Sequence, residues 1–263
     1  MKRTTTIFLF ATVLVAAFAA PAHASLVYAT DFNGPTYSDG LLAGQDGWIV
    51  TSAGGTNDLT VANTATNGNV SMTTSGNDDR RLFATALAGG SYYLSADITV
   101  SAAQATGDYF MHLGDGSTSI FNARTYIKSS GAGFVMALGT GAGTTGLNYG
   151  STVLNFGTTY HVLAEYDMNP GTTNDTGALF INPVDPHGVG DTPYVAATLE
   201  GIDATSMDAV YLRQGTAANA ATLVVDNILV DAVGAVPVPE PASFLLIGLG
   251  IVGLVGGARF KLV

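Results

Sequence analysis

The sequence contains no cysteine in 263 residues. That excludes disulfides, thiol nucleophiles and zinc sites built on thiolates, so the fold rests on its core and on any ion it binds. Basic side chains are scarce, with 9 Lys and Arg against 20 Asp and Glu and a formal net charge of −11. A surface of that sign repels nucleic acid and anionic lipid. No Gly-x-Ser-x-Gly elbow occurs, which removes the usual setting of a serine nucleophile. Glycine-rich pieces such as Gly139 to Gly143 open no helix and therefore make no phosphate cradle. His112, His161 and His187 are far apart, without the spacing of a zinc site.

Long apolar runs are confined to the two ends. Lys2 and Arg3 precede an apolar stretch from Ile7 to Ala20, and Ala22-His23-Ala24 offers the small residues that a signal peptidase reads. A signal peptide over residues 1–24 follows, with Ser25 as the mature N-terminus. At the other end Val238-Pro239-Glu240-Pro241-Ala242 breaks any regular element, because each proline lacks an amide donor and constrains the residue before it. Behind it about 17 residues from Ala242 to Ala258 carry no charge, and Arg259 and Lys261 follow. At roughly 1.5 Å per residue such a helix spans about 25 Å, near the lower limit for crossing a bilayer, with its basic end cytoplasmic.

This ordered set of Val-Pro-Glu-Pro-Ala, short apolar helix and basic end resembles the PEP-CTERM sorting signal of Gram-negative bacteria. The resemblance implies a tail read by an exosortase, which cuts near Pro239-Glu240-Pro241 and passes the protein to the cell exterior. With both ends removed, Lys2, Arg3, Arg259, Lys261 and Glu240 leave, so the body keeps five basic and 19 acidic residues, a net charge near −14.

Between the ends the chain reads as short strands punctuated by Gly, Asn, Asp and Thr. In Tyr92 to Val100 the residues Tyr92, Leu94, Ala96, Ile98 and Val100 face one way and Tyr93, Ser95, Asp97 and Thr99 the other, as in a half-buried antiparallel strand. About a dozen such runs, without an amphipathic helix, predict an all-β antiparallel two-sheet sandwich over residues 25–233. A linker over 234–241 and a transmembrane tail over 242–263 complete the chain, and Ala232 to Pro237 is read as linker.

Asp31-Phe32, the segment Tyr37 to Trp48, Tyr160-His161-Val162, Leu179 to Pro183 and Val225-Asp226-Asn227-Ile228 resemble, in that order, concanavalin-like and laminin-G-like jelly-roll domains. The resemblance implies that the first and last strands lie side by side, bringing Asp31 near Asp226, and that the domain binds carbohydrate or serves as an extracellular module. Asp31, Asn33 and Asp226, with Asn227 beside them, form a candidate calcium site, since calcium takes six to eight oxygens. Trp48 is a candidate stacking platform for a sugar ring, although a lone Trp after the turn Gln45-Asp46-Gly47 also suits a core plug. On the strand from Thr159 to Met168 the side chains of His161, Glu165 and Asp167 share a face and form a candidate ligand-binding row. That strand is similar to the Glu-x-Asp-x-x-Glu strand of jelly-roll glycosidases, but Pro170 stands where the second glutamate would be. Retaining hydrolysis needs that second carboxyl.

The expectation is therefore an exported, non-catalytic surface or extracellular-matrix sandwich associating with polysaccharide. Its processing partners would be signal peptidase and exosortase, and it would pass through the inner membrane on its tail. A glycan-active hydrolase or lyase with its catalytic pair elsewhere, for instance at Asp108 or Asp115, is one alternative. A ligand-free structural matrix protein is another.

Overall fold

The computed structural model describes residues 24–51, 57–117, 121–141, 147–198, 201 and 203–237. The signal segment, with Ala22, and the tail, with Val238, Pro239, Glu240, Pro241 and Ala242, lie outside the described residues, as do both expected end helices. Among the described residues no helix is long and apolar enough to cross a membrane.

The described chain is a sequence of strands: β1 (Ala24–Thr30), β2 (Gly40–Leu41), β3 (Trp48–Val50), β4 (Thr60–Ala62), β5 (Asn69–Met72), β6 (Asp79–Ala88), β7 (Gly90–Ala102), β8 (Asp108–Gly114) and β9 (Phe121–Ser130). It continues through β10 (Gly133–Gly139), β11 (Leu154–Asn155), β12 (Thr159–Met168), β13 (Thr176–Ile181), β14 (Val195–Ala196), β15 (Met207–Leu212), β16 (Thr222–Val233) and β17 (Val236–Pro237). Sheet I runs β14-β13-β12-β7-β16-β5-β4-β2, with β1 also on β16; sheet II runs β11-β10-β9-β8-β15-β6-β17, with β3 also on β6. The named strand pairs are all antiparallel, as hairpin-linked half-buried strands require. The first and last long strands do lie side by side, Ala24 opposite Val233 and Thr30 opposite Ile228.

The alternation in the sequence decides which face each sheet buries. Tyr92, Leu94, Ile98 and Val100 of β7 and Val162 and Tyr166 of β12 meet Phe134, Met136, Val210 and Leu212 of sheet II in one core. Tyr166 brings its hydroxyl into that core, where it donates to Asp175 at 2.5 Å and accepts from Asn122 at 3.0 Å, so the buried polar atom is satisfied.

Trp48 belongs to this core, which corrects its reading as a sugar platform. Its ring is 0% exposed. The indole N–H donates to Tyr28 and Tyr37 at 3.1 Å each, and both hydroxyls donate to Asp46. Asp46 also faces Arg81 at 3.7 Å, and Arg81 lies over the Tyr28 ring. An aromatic with one polar atom is buried readily once that atom has a partner.

A second correction concerns the end of the body. The stretch Ala232 to Pro237, read as linker, remains in strand through Val233 and resumes as β17, where Val236 and Pro237 pair with Ala88 and Leu87 of β6. Gly234, at φ 72°, turns the chain from sheet I to sheet II in a conformation that costs a Cβ-bearing residue energy. The ladder leaves Pro237 on an edge, where a missing amide is tolerated.

Candidate functional site

Each sheet has an outer face, and the two differ in chemistry. The outer face of sheet I carries the predicted row. His161, Asp97 and Asp226 are direct cross-strand neighbours on β12, β7 and β16. The His161 ring nitrogen Nδ1 is 2.7 Å from Asp97 Oδ1, and Asn227 donates to Asp97 Oδ2 at 2.8 Å. Asn227 reaches it because the pairing of β16 with β7 shifts register between Asp226 and Leu229, with Asn227 at φ 50°. Beside these residues an open cleft of about 390 Å³ is lined by Asn67, Asn69, Thr99, Thr159 and Asp226. Burial, and the charges of Asp97 and Asp31, hold the Asp226 carboxyl above its ordinary value against the lowering by the Asn227 amide.

Further along β12 the other two predicted residues are tied to neighbours. Glu165 accepts from the Tyr93 hydroxyl at 3.4 Å, and its carboxyl is raised by burial and by Asp167. Asp167 accepts from Ser91 at 2.5 Å and from Thr176 at 3.2 Å. The Tyr93 ring lies against His187, centroids 4.5 Å apart at 49°, and His187 meets Asp231 at 3.2 Å. Leu163, Phe180 and Ala178 fill the space between, so this part of the face is a closed apolar patch.

Asp31 and Asp226 are near enough for the charge of one to raise the other. Asn33 sits against Asp31: its N–H donates to the Asp31 carboxylate at 3.0 Å, and its backbone and side-chain hydrogen bonds hold that carboxyl below its ordinary value, while its side-chain oxygen accepts from Gly68 N–H at 2.7 Å. Among the described residues no three His, Asp or Glu side chains converge as a metal cluster.

The outer face of sheet II gathers residues that are scattered along the sequence. Tyr109, His112, Phe121, Tyr126, Tyr149 and Tyr211 form one layer with Arg80, Arg124, Lys128 and Arg213, four of the five basic residues in the body. His112 lies flat on Tyr211, centroids 4.3 Å apart at 13°. Arg124 is 5.0 Å over Tyr109 and 5.2 Å over Tyr126, Arg213 is 4.2 Å over Tyr109, and Lys128 is 3.9 Å over Tyr149. Such stacking suits Arg, whose planar cation is weakly hydrated. Arg213 also pairs with Asp108 at 2.8 Å, and Asp115 accepts from Ser117 N–H, so neither alternative acid stands clear of a partner. Arg124 is only 3% exposed and His112 2%, although both point away from the core, so with Tyr109, Tyr126 and Tyr211 they close over one another, and Arg80, Phe121, Lys128, Tyr149 and Arg213 form a half-buried rim. Burial drops the His112 pKa to about 3 and lifts Tyr211 to about 12. The spacing of Arg124, Tyr126 and Lys128 on alternate positions of β9 is the one sequence signal for this layer.

The chain has structural counterparts at low identity. The carbohydrate-binding module CBM2 of the evolved Dit protein of Lactobacillus casei BL23 phage J-1 is 11% identical, covers 84% of this chain and 100% of its own, and superposes with a TM-score of 0.49. Domain 4 of AbnA, an extracellular arabinanase of Geobacillus stearothermophilus, is 13% identical over 81% of this chain and 94% of its own, TM-score 0.48. A glycosyl hydrolase family protein of Mycobacterium fortuitum is 12% identical over 78% and 99%, TM-score 0.49. No curated protein sequence matches the chain. Residues 237–259 match the PEP-CTERM protein-sorting motif. The protein is thus an antiparallel β-sandwich bearing a PEP-CTERM sorting motif at its C-terminal end.

Proposed function

We propose that this protein is exported, sorted through its tail by an exosortase, and retained at the cell surface or in the extracellular matrix as a non-catalytic module that associates with carbohydrate. The sorting motif supports the route. The observation that carries the binding role is the half-buried rim of the sheet II layer, where the rings of Phe121 and Tyr149 stand among Arg80, Lys128 and Arg213. Rings stack on the apolar faces of sugars, and planar polar groups hydrogen-bond to their hydroxyls. The non-catalytic reading draws support from two groups of the same face. A histidine with a pKa of about 3 is a poor base at neutral pH, and a tyrosine near 12 a poor acid.

The test is a glycan array with the full chain, then Tyr149→Ala and Lys128→Ala, both half-buried at the rim. Retention on at least one glycan, weakened about tenfold by either change, is expected, the loss of about 1.4 kcal/mol that a tenfold change represents. New reducing ends or unsaturated products would make it an enzyme. No retention on any glycan would leave a structural matrix protein. A second reading rests on the open cleft of sheet I, where His161 would be the contact, with Glu165 and Asp167 further along the strand. Retention lost in His161→Ala and kept in Tyr149→Ala would select that face.

A further inference from the structure

At the end of the sandwich remote from Pro237, one buried carboxylate stands without a partner. Asp79 opens β6, is 1% exposed, and neither of its oxygens accepts a hydrogen bond. Its cross-strand neighbours are Leu212, buried in the core, and Val50, which is exposed at the edge of sheet II. A lone buried carboxylate is costly to hold, and its usual remedies are a cationic side chain, a set of donors or a metal ion. The nearby charges are the wrong ones. Asp58 and Asp78 both push Asp79 up, after burial itself, to about 6. Asp78 is already engaged, accepting from Gln214 N–H at 2.8 Å and facing Arg213 at 3.9 Å. Asp58 accepts on one oxygen from Asn77 and is half-buried. Gln214 fastens the surrounding turns to each other: its amide donates to the carbonyls of Asn57 and Asn77 and accepts from Thr73. Asp79, with both oxygens unpartnered, and Asp58, which accepts only from Asn77, thus offer carboxylate oxygens of the kind a hard divalent cation takes.

We propose that Asp79 and Asp58 hold a calcium ion that joins the lead into β4 of sheet I to the start of β6 of sheet II. Two positive charges against two carboxylates remove the repulsion and satisfy the orphaned oxygens. In a protein without cysteine, this bond does the work of a cross-link between sheets. The inference is independent of any carbohydrate.

The test is thermal melting of the full chain in detergent with millimolar CaCl₂ or with EDTA, together with the calcium content of the dialysed protein. We expect about one ion per chain and a midpoint several degrees higher in calcium. Asp79→Asn and Asp58→Asn should each abolish both, while Asp31→Asn at the paired chain ends should leave both intact. Asp58 is half-buried, so its variant keeps the test usable where Asp79→Asn does not fold. A wild-type midpoint equal in calcium and EDTA, with Asp79→Asn melting higher than wild type, would overturn the proposal. So would a calcium response lost in Asp31→Asn and kept in Asp58→Asn.

Discussion

Trp48 is one of four residues expected to touch a ligand, and it is the one fully enclosed. Its indole is the donor that ties Tyr28 and Tyr37 to Asp46, so Trp48→Phe removes a bond and part of the ring volume together. The expected loss is about 2 kcal/mol, read as a lower urea midpoint, with glycan retention unchanged. Two other buried groups set opposite pH trends. His112 titrates near 3 in the folded chain and near 6.5 unfolded, so the unfolded state binds the extra proton and stability falls as pH drops through that window. Asp79 titrates near 6 folded and 3.8 unfolded, so the folded state binds the extra proton and stability falls as pH rises through that window. Each trend amounts to at most about 1.4 kcal/mol per pH unit. In EDTA they offset one another between about pH 4 and 6. With calcium on Asp79 the second trend disappears, and urea midpoints should climb across the same interval. Midpoints that do not respond to calcium anywhere in this range would remove Asp79 as the source.

At the scale of elements, the strands with one face in the core were legible. β7 and β12 alternate apart from Tyr93 and Leu163, which cluster on the outer face, and the sides assigned to Tyr92 and Leu94, with Val162 and Tyr166 opposite the His161 row, are the sides found. The ring layer on sheet II was not legible, for a reason visible in the backbone. The ladder between β8 and β9 slips between Tyr109 and Met111 and again between Met111 and Leu113, and Ala123 sits at φ 50°. Each irregularity changes which residues share a face, so alternation could not group Tyr109 and His112 with Arg124 and Tyr126. Two- and three-residue strands such as β2, β3 and β17 are below the length at which a period can be read. β17 nonetheless covers the edge of β6 at Leu87 and Ala88. Ending the chain after Val233 rather than Pro237 should lower stability by about 1 to 2 kcal/mol, seen as a melting midpoint a few degrees lower.

For the whole molecule, the informative measurement is the intact mass of the protein recovered from the cell exterior. The expected species begins at Ser25 and lacks the apolar tail, carries five basic and 19 acidic residues, and elutes late from an anion exchanger. A full-length mass confined to the cytosol would defeat the export reading. The pairing of Ala24 with Val233, and of Val236 with Ala88, puts both exits of the folded body at one pole. β6 runs ten residues from there to Asp79, about 30 Å along a strand. A chain still moored by its tail therefore hangs from that pole, and the carboxylates of Asp79 and Asp58 occupy its free tip, the part that meets the surrounding ions first.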